Sequence, residues 1–297
     1  MRTPGLTLDR VRARVMDRGP RSRALYTGAR QTLALPSYVR RRSAMRSMNG
    51  ASKFDVEVDR GHKIISPGDA PEAQAVVARI DETVAGLDLG HMEFPNKPYV
   101  HTGLLDMDTL EAGDPLIRFA LNPDLLASIS RYLGVVPVLH QIGVWCSRYH
   151  PSAAHGSQLF HCDAKATSQV KVFVYATAVG AGDGPLTVVD AAASTTAMKK
   201  LDYKFRSRVS DPDMLAAVRP EEIHPLVGPR GTVALVDTSR CFHMGSRLIE
   251  DSALRVLALF QYVGPVAFDS SSRAELPFSR FVGDETSRIE RLVLQGG

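Results

Sequence analysis

Cysteine is scarce. Cys146, Cys162 and Cys241 are an odd number without metal-finger spacing, which argues against a disulfide framework and points to reduced thiols. Long apolar runs are also missing. No stretch reaches the roughly 18 consecutive apolar residues of a transmembrane helix, and the N-terminus lacks the apolar core of about 7–15 residues that marks a secretory signal. A soluble, cytoplasmic protein is the expectation. There is no internal repeat and no low-complexity tract, so solenoids and arrays are not indicated. Acidic residues are nearly absent from residues 1–50, which hold twelve arginines and only Asp9 and Asp17.

That segment carries +10, so the remainder of a chain of net charge +4 carries −6. Basicity is local, and a nucleic-acid-binding domain is not the expectation. Arginines alternate with Leu6, Leu8, Val11 and Val15, broken by Gly19-Pro20 and Pro36. Residues 1–60 therefore read as a basic, partly helical extension packed on the body, with membrane-surface contact, an acidic partner or a transit peptide as alternatives. Residues 61–297 read as a single domain. With 44% apolar and 23% charged residues, the chain has material for a large core.

Asp69 as cap, Pro71, Glu72 at capping-box spacing and the series Val76, Val77, Ile80, Val84, Leu87 predict a helix ending at Gly86 or Gly90. Asn122 as cap, Pro123 at the first position and Leu125, Leu126, Ile129, Leu133 predict a second, ending at Gly134. From Val135 short β-rich runs follow at 135–149, 169–178, 185–190, 232–237 and 254–263, split by turn residues at 180–185 and 228–231. The fold class expected is mainly β with flanking helices, built on a sandwich or barrel.

His161-Cys-Asp163 places an imidazole and a carboxylate two residues apart, on one face of an extended chain. With a second histidine such a pair makes the two-His-one-carboxylate set that holds iron(II) and leaves positions open. The spacing alone is weak, because 32 acids in 297 residues give roughly one such match for nine histidines by composition. His91-Met-Glu93 is a second match, but it runs into the turn-like Phe94-Pro-Asn-Lys-Pro98. His161-Cys-Asp163 is followed by the β-type run 169–175 and is preferred. His243, after the run 232–237 and a Thr-Ser turn, is placed to return as the third ligand. Arg255 shares a face with Leu257, Leu259 and Gln261, and a guanidinium among apolar neighbours needs an anion. Arg247 competes for that role from a Gly-Ser turn. Trp145, Arg148, Tyr149 and His155 are open to pocket, core or surface positions, and Cys162 faces away from the ligands.

The run Gln158-Leu-Phe-His-Cys-Asp163, then Val170–Tyr175, Gly182-Asp-Gly-Pro-Leu-Thr-Val188, His243-Met-Gly-Ser-Arg247 and Arg255 twelve residues after the histidine resembles the phytanoyl-CoA dioxygenase-like family. The likeness spans about residues 115–265. It implies a double-stranded β-helix (jelly-roll, cupin-like) core at about 135–265. It also implies Fe(II) bound by His161, Asp163 and His243, and 2-oxoglutarate held by Arg255 with O2 as co-reactant. Phe173 and Ser246 fall beside the cosubstrate by the same resemblance, and Lys171, on the strand face of Phe173, adds charge. The implied reaction oxidises a small-molecule substrate, most simply by hydroxylation, with decarboxylation of 2-oxoglutarate to succinate. Because the carboxylate ligand is present, halogenation is disfavoured. Two rivals remain: a cupin-like metal enzyme that uses no 2-oxoglutarate, and a jelly-roll binding protein without turnover.

Overall fold

The structure, a computed structural model, describes residues 20–48, 50–94, 97–152, 154–205, 207–266 and 278–295. The first part of the basic segment, residues 1–19 with its four leading apolar positions, lies outside the described residues, as do Pro95 and Asn96 of the turn-like stretch.

Period-two sequences build two antiparallel sheets. The larger joins β1 (His62–Ile65), β2 (Val100–His101), β3 (Val138–Ser147), β4 (Gln169–Tyr175), β7 (Val233–Val236) and β9 (Arg255–Val263) in the order β1-β7-β4-β9-β3-β2. The smaller joins β5 (Leu186–Val189), β6 (Ile223–Leu226) and β8 (His243–Gly245) in the order β6-β5-β8. The β-rich runs at 135–149, 169–178, 185–190, 232–237 and 254–263 enclose β3, β4, β5, β7 and β9. β1, β2, β6 and β8 are too short to show periodicity, and Pro225 further disguises β6, where the edge position accommodates it.

Alternation sorts each strand's residues to two faces. On β4 Val170, Val172 and Val174, and on β9 Val256, Ala258, Phe260 and Tyr262, pack against a helical layer. That layer is α3 (Ala73–Val84), α4 (Pro115–Ala120), α5 (Pro123–Leu133) and α8 (Arg288–Gln295), contributing Val76, Ile80, Leu116, Leu126, Ile129 and Val293 among others. On the opposite face Phe173, Tyr175, Ala234, Val236, Leu257 and Leu259 meet Val188 and Leu226 of the smaller sheet. The outer face of the smaller sheet is covered by α6 (Ala191–Lys200) and α7 (Asp211–Ala217), whose Ala193, Ala197 and Met214 pack with Phe160, Cys162 and Phe242. Each fully buried aliphatic or aromatic side chain here is worth about 1.5–3 kcal/mol in water transfer. All three cysteines are buried and none forms a disulfide.

α5 has the ends its sequence predicts: Asn122 Oδ1 accepts from the Leu125 amide at 3.0 Å, and Gly134 closes it at φ +75°. α3 departs from expectation. It starts at Ala73, and the Asp69 carboxylate accepts from the Ser66 hydroxyl at 2.6 Å instead of capping it. Its end at Val84 precedes Gly86.

Two helices precede the sheets, α1 (Pro20–Leu33) and α2 (Leu35–Arg46). The second is tied to the body by Arg41, which is fully buried and donates to the carbonyls of Val136 and Pro137 at 3.0 Å and of Leu292 at 2.8 Å. One of the twelve arginines is thus a core residue. Leu25 and Leu33 of α1 remain exposed. Among the described residues no helix is long and apolar enough to cross a membrane.

Candidate metal centre

Between the two sheets lies a cavity of about 270 Å³. His161, Asp163 and His243 all line it, and their ligand atoms lie within 4.8 Å of one another. His243 opens β8. His161 is brought beside it by an antiparallel bridge in which the two backbones exchange hydrogen bonds, 3.0 Å from the His161 amide and 2.9 Å back. Contrary to the expectation of a strand carrying both residues, only Phe160 and His161 make bridges; Asp163 sits just beyond, its amide donating to the Thr238 carbonyl at 2.7 Å. The chain is still extended enough to keep both side chains on one side. His91 and Glu93 are exposed, His91 pairing with Asp88 at 2.9 Å, and both lie away from the cavity.

Each imidazole turns Nδ1 onto a backbone carbonyl. His161 Nδ1 lies 2.9 Å from the Leu159 carbonyl and His243 Nδ1 lies 3.1 Å from the Cys241 carbonyl. Each carbonyl requires Nδ1–H, so both Nε2 lone pairs face the cavity. Burial keeps the rings neutral, pushing His161 down to about 3 and lowering His243 as well. Asp163 is held ionised: burial alone would raise it, but the Lys171 ammonium lowers it. Lys171 Nζ lies 2.7 Å from Asp163 Oδ2, and Gln169 Nε2 donates to the same oxygen at 2.9 Å. Gln169 is itself fixed by Gln261 and Thr238, both at 2.8 Å.

Arg255, at the start of β9, lines the same cavity. Its Nη2 donates to Ser147 Oγ at 3.0 Å, its Nε is buried without a hydrogen-bond partner, and among the described residues no carboxylate pairs with it. Trp145 Nε1 is a second buried donor without a partner on the cavity wall. Arg247 differs. Partly exposed, it is held by Asp211, at 2.6 and 3.1 Å, and by the Gln158 carbonyl at 2.5 Å. Phe173 is buried on the inner face of β4, and Ser246 Oγ lies 2.7 Å from Thr187 Oγ1; both line the cavity. Of the four residues before the candidate ligands, Trp145 reaches the cavity. Arg148 instead stacks 4.1 Å over Phe94 and donates to the carbonyls of Pro98, Gly90 and Met92.

Asp237 is a supporting residue that sequence reading missed. Its carboxylate accepts from Ser168 Oγ at 2.7 Å, Tyr132 Oη at 3.0 Å and the amides of Ser239 and Arg240 at 3.0 and 3.1 Å. It thereby fixes the turn whose Thr238 carbonyl holds Asp163 and which leads to His243. An acid closing a β run before Thr-Ser was the available signal.

No protein-family model matches the chain, and no curated protein does. Among solved structures, the chain is similar to EctD from S. alaskensis with bound Fe (16% identity, 84% of this chain and 90% of that one, TM-score 0.49). It is also similar to the non-heme alpha-ketoglutarate-dependent epimerase SnoN from nogalamycin biosynthesis (15%, 76% and 84%, 0.44). A third is HygX from Streptomyces hygroscopicus with nickel and 2-oxoglutarate bound (15%, 69% and 84%, 0.45).

Proposed function

We propose that the chain is an iron(II)- and 2-oxoglutarate-dependent oxygenase with a double-stranded β-helix core, of the phytanoyl-CoA dioxygenase-like kind, acting on a small molecule. The observation that carries this reading is the meeting, in one cavity, of three neutral-or-anionic metal donors with a buried guanidinium that lacks an anion. A two-His-one-carboxylate set suits non-haem iron(II) and leaves coordination positions free. Arg255 suits the distal carboxylate of a dicarboxylic acid, because a buried cation without a partner is costly and a bidentate carboxylate relieves that cost.

His161, Asp163 and His243 would hold the metal, with Gln169 orienting the carboxylate and Lys171 standing as its counterion. Arg255 and Ser147 would bind the far end of 2-oxoglutarate, and Phe173 and Ser246 would flank it. Bound iron would supply O2-dependent oxidation of a substrate C–H bond coupled to decarboxylation of 2-oxoglutarate to succinate and CO2. The protein's own part is to aim the donors, hold the cosubstrate and shield the cavity. Hydroxylation is the simplest outcome.

The test is succinate and CO2 release by the purified chain given iron(II), 2-oxoglutarate, O2 and a panel of small molecules. Release that requires all three supports the oxygenase. Metal binding without 2-oxoglutarate turnover moves the assignment to a cupin-like metal enzyme, and no metal binding moves it to a jelly-roll binding protein.

A further inference from the structure

A second pair of histidines converges on a carboxylate at the β1/β6 edge of the molecule. His62 Nε2 lies 2.9 Å and His224 Nε2 3.1 Å from the same oxygen, Asp190 Oδ1, and the two rings stand 4.8 Å apart. Three separate segments supply them. His62 is on β1 opposite Val236, whose side chain faces the space between the sheets. His224 is on β6 opposite Val188, which faces the same space, and Asp190 follows Val188 by two residues. The register of both sheets therefore aims all three side chains inward at one edge.

Asp190 occupies the N-cap position of α6, where an aspartate ordinarily turns its carboxylate onto the first amides. Here it makes no such bond. The amides of Ala191 and Ala192 are taken by the carbonyls of Arg60 and Asp59, at 3.0 and 2.9 Å, so the carboxylate is released toward the histidines. His224 Nε2 is buried and, despite its proximity, not aligned for a hydrogen bond to that oxygen. Two ring nitrogens converging on one carboxylate oxygen, one of them without a hydrogen bond, form a donor set that a divalent cation could take.

We propose that His62, Asp190 and His224 form a second metal site, distinct from the first, for a borderline divalent ion of the zinc(II) type. Two imidazoles and a carboxylate supply three of four tetrahedral positions at about 2.0–2.2 Å. The fourth opens onto an adjoining pocket of about 440 Å³ lined by Asp55, which Arg131 pairs, and by Glu57, Arg60 and Lys63. The ion ties the edge of the larger sheet to the edge of the smaller one.

Zinc(II) titration of the chelator-stripped full chain against a chromophoric competitor tests the proposal. In a His161→Ala background one equivalent should bind and raise Tm by several degrees. Adding His224→Gln should weaken binding at least ~100-fold and abolish the Tm shift, since even outer-shell partners are worth roughly 10–100-fold, with an unchanged metal-free Tm showing that the variant is folded. Asp190→Asn should weaken it in the same direction. The proposal is overturned if the His161→Ala protein takes up no zinc(II), or takes it up equally with and without His224. The result is independent of whether the first cluster binds iron.

Discussion

Lys171 Nζ and Gln169 Nε2 share one oxygen of Asp163, at 2.7 and 2.9 Å. The ammonium stands as the counterion of the carboxylate at the position from which a metal would also draw it. A divalent ion at the triad and this ammonium would repel each other by about 3 kcal/mol per unit charge at 5 Å and an effective dielectric of 20, before relaxation. Lys171→Met should therefore tighten iron(II) binding roughly tenfold in the absence of cosubstrate, measured anaerobically. Weaker binding in that variant would mean that Lys171 chiefly orients Asp163.

The two arginines should separate cleanly. Arg255 has no carboxylate partner, whereas Arg247 is already bound to Asp211. Arg255→Gln should weaken 2-oxoglutarate binding by roughly two orders of magnitude or more, about 1.4 kcal/mol per tenfold, with little change in iron(II) affinity. Arg247→Gln should leave cosubstrate affinity within a few-fold and cost at most about 1 kcal/mol of stability, because its ion pair is partly exposed. The reverse ranking would move the anion clamp to Arg247.

The buried Asp237 carboxylate accepts from five donors, Tyr132, Ser168 and the amides of Gln169, Ser239 and Arg240, and its loss takes away that shared acceptor. Asp237→Ala should destabilise the protein by about 3 kcal/mol or more in urea unfolding. It should also weaken metal binding, because Thr238 positions Asp163. A fully stable variant would show the turn to be held by packing alone.

Deleting residues 1–30 should preserve iron(II) binding, since it removes the exposed Leu25 and keeps Arg41, the buried tie to the body. Extending the deletion through residue 46 removes Arg41, leaves the Val136, Pro137 and Leu292 carbonyls without their donor and should cost several kcal/mol. Thermal unfolding of the two truncations distinguishes them. A large loss already at residue 30 would assign the structural role to α1.

The long strands and α5 were legible because alternation over seven or more residues, or a cap-Pro-Leu pattern closed by glycine, is local information. Arg255 was legible as a candidate for the same reason, since it opens the nine-residue β9. His161, Asp163 and His243 lie outside long strands, and their two-residue spacing and the family resemblance singled them out instead. What was hidden depends on distance along the chain. Asp211 reaches Arg247 from a short helix 36 residues away, and nothing near Arg247 announces that partner. His62 and Asp190 are 128 residues apart, and His224 sits in a four-residue strand disguised by Pro225. Short edge strands carry too few residues for a period to show, so the groups they bring together emerge only from the register of the folded sheets.

Anaerobic titration of the iron(II)-loaded chain with 2-oxoglutarate, followed through the metal-to-ligand charge-transfer band that chelation creates, tests the central claim most directly. The account predicts a saturable band with one equivalent of iron in the wild type and in His91→Ala. It predicts no band in His161→Ala or Asp163→Ala. A wild-type protein that binds iron(II) yet never develops the band, or a band that survives both triad substitutions, would contradict it.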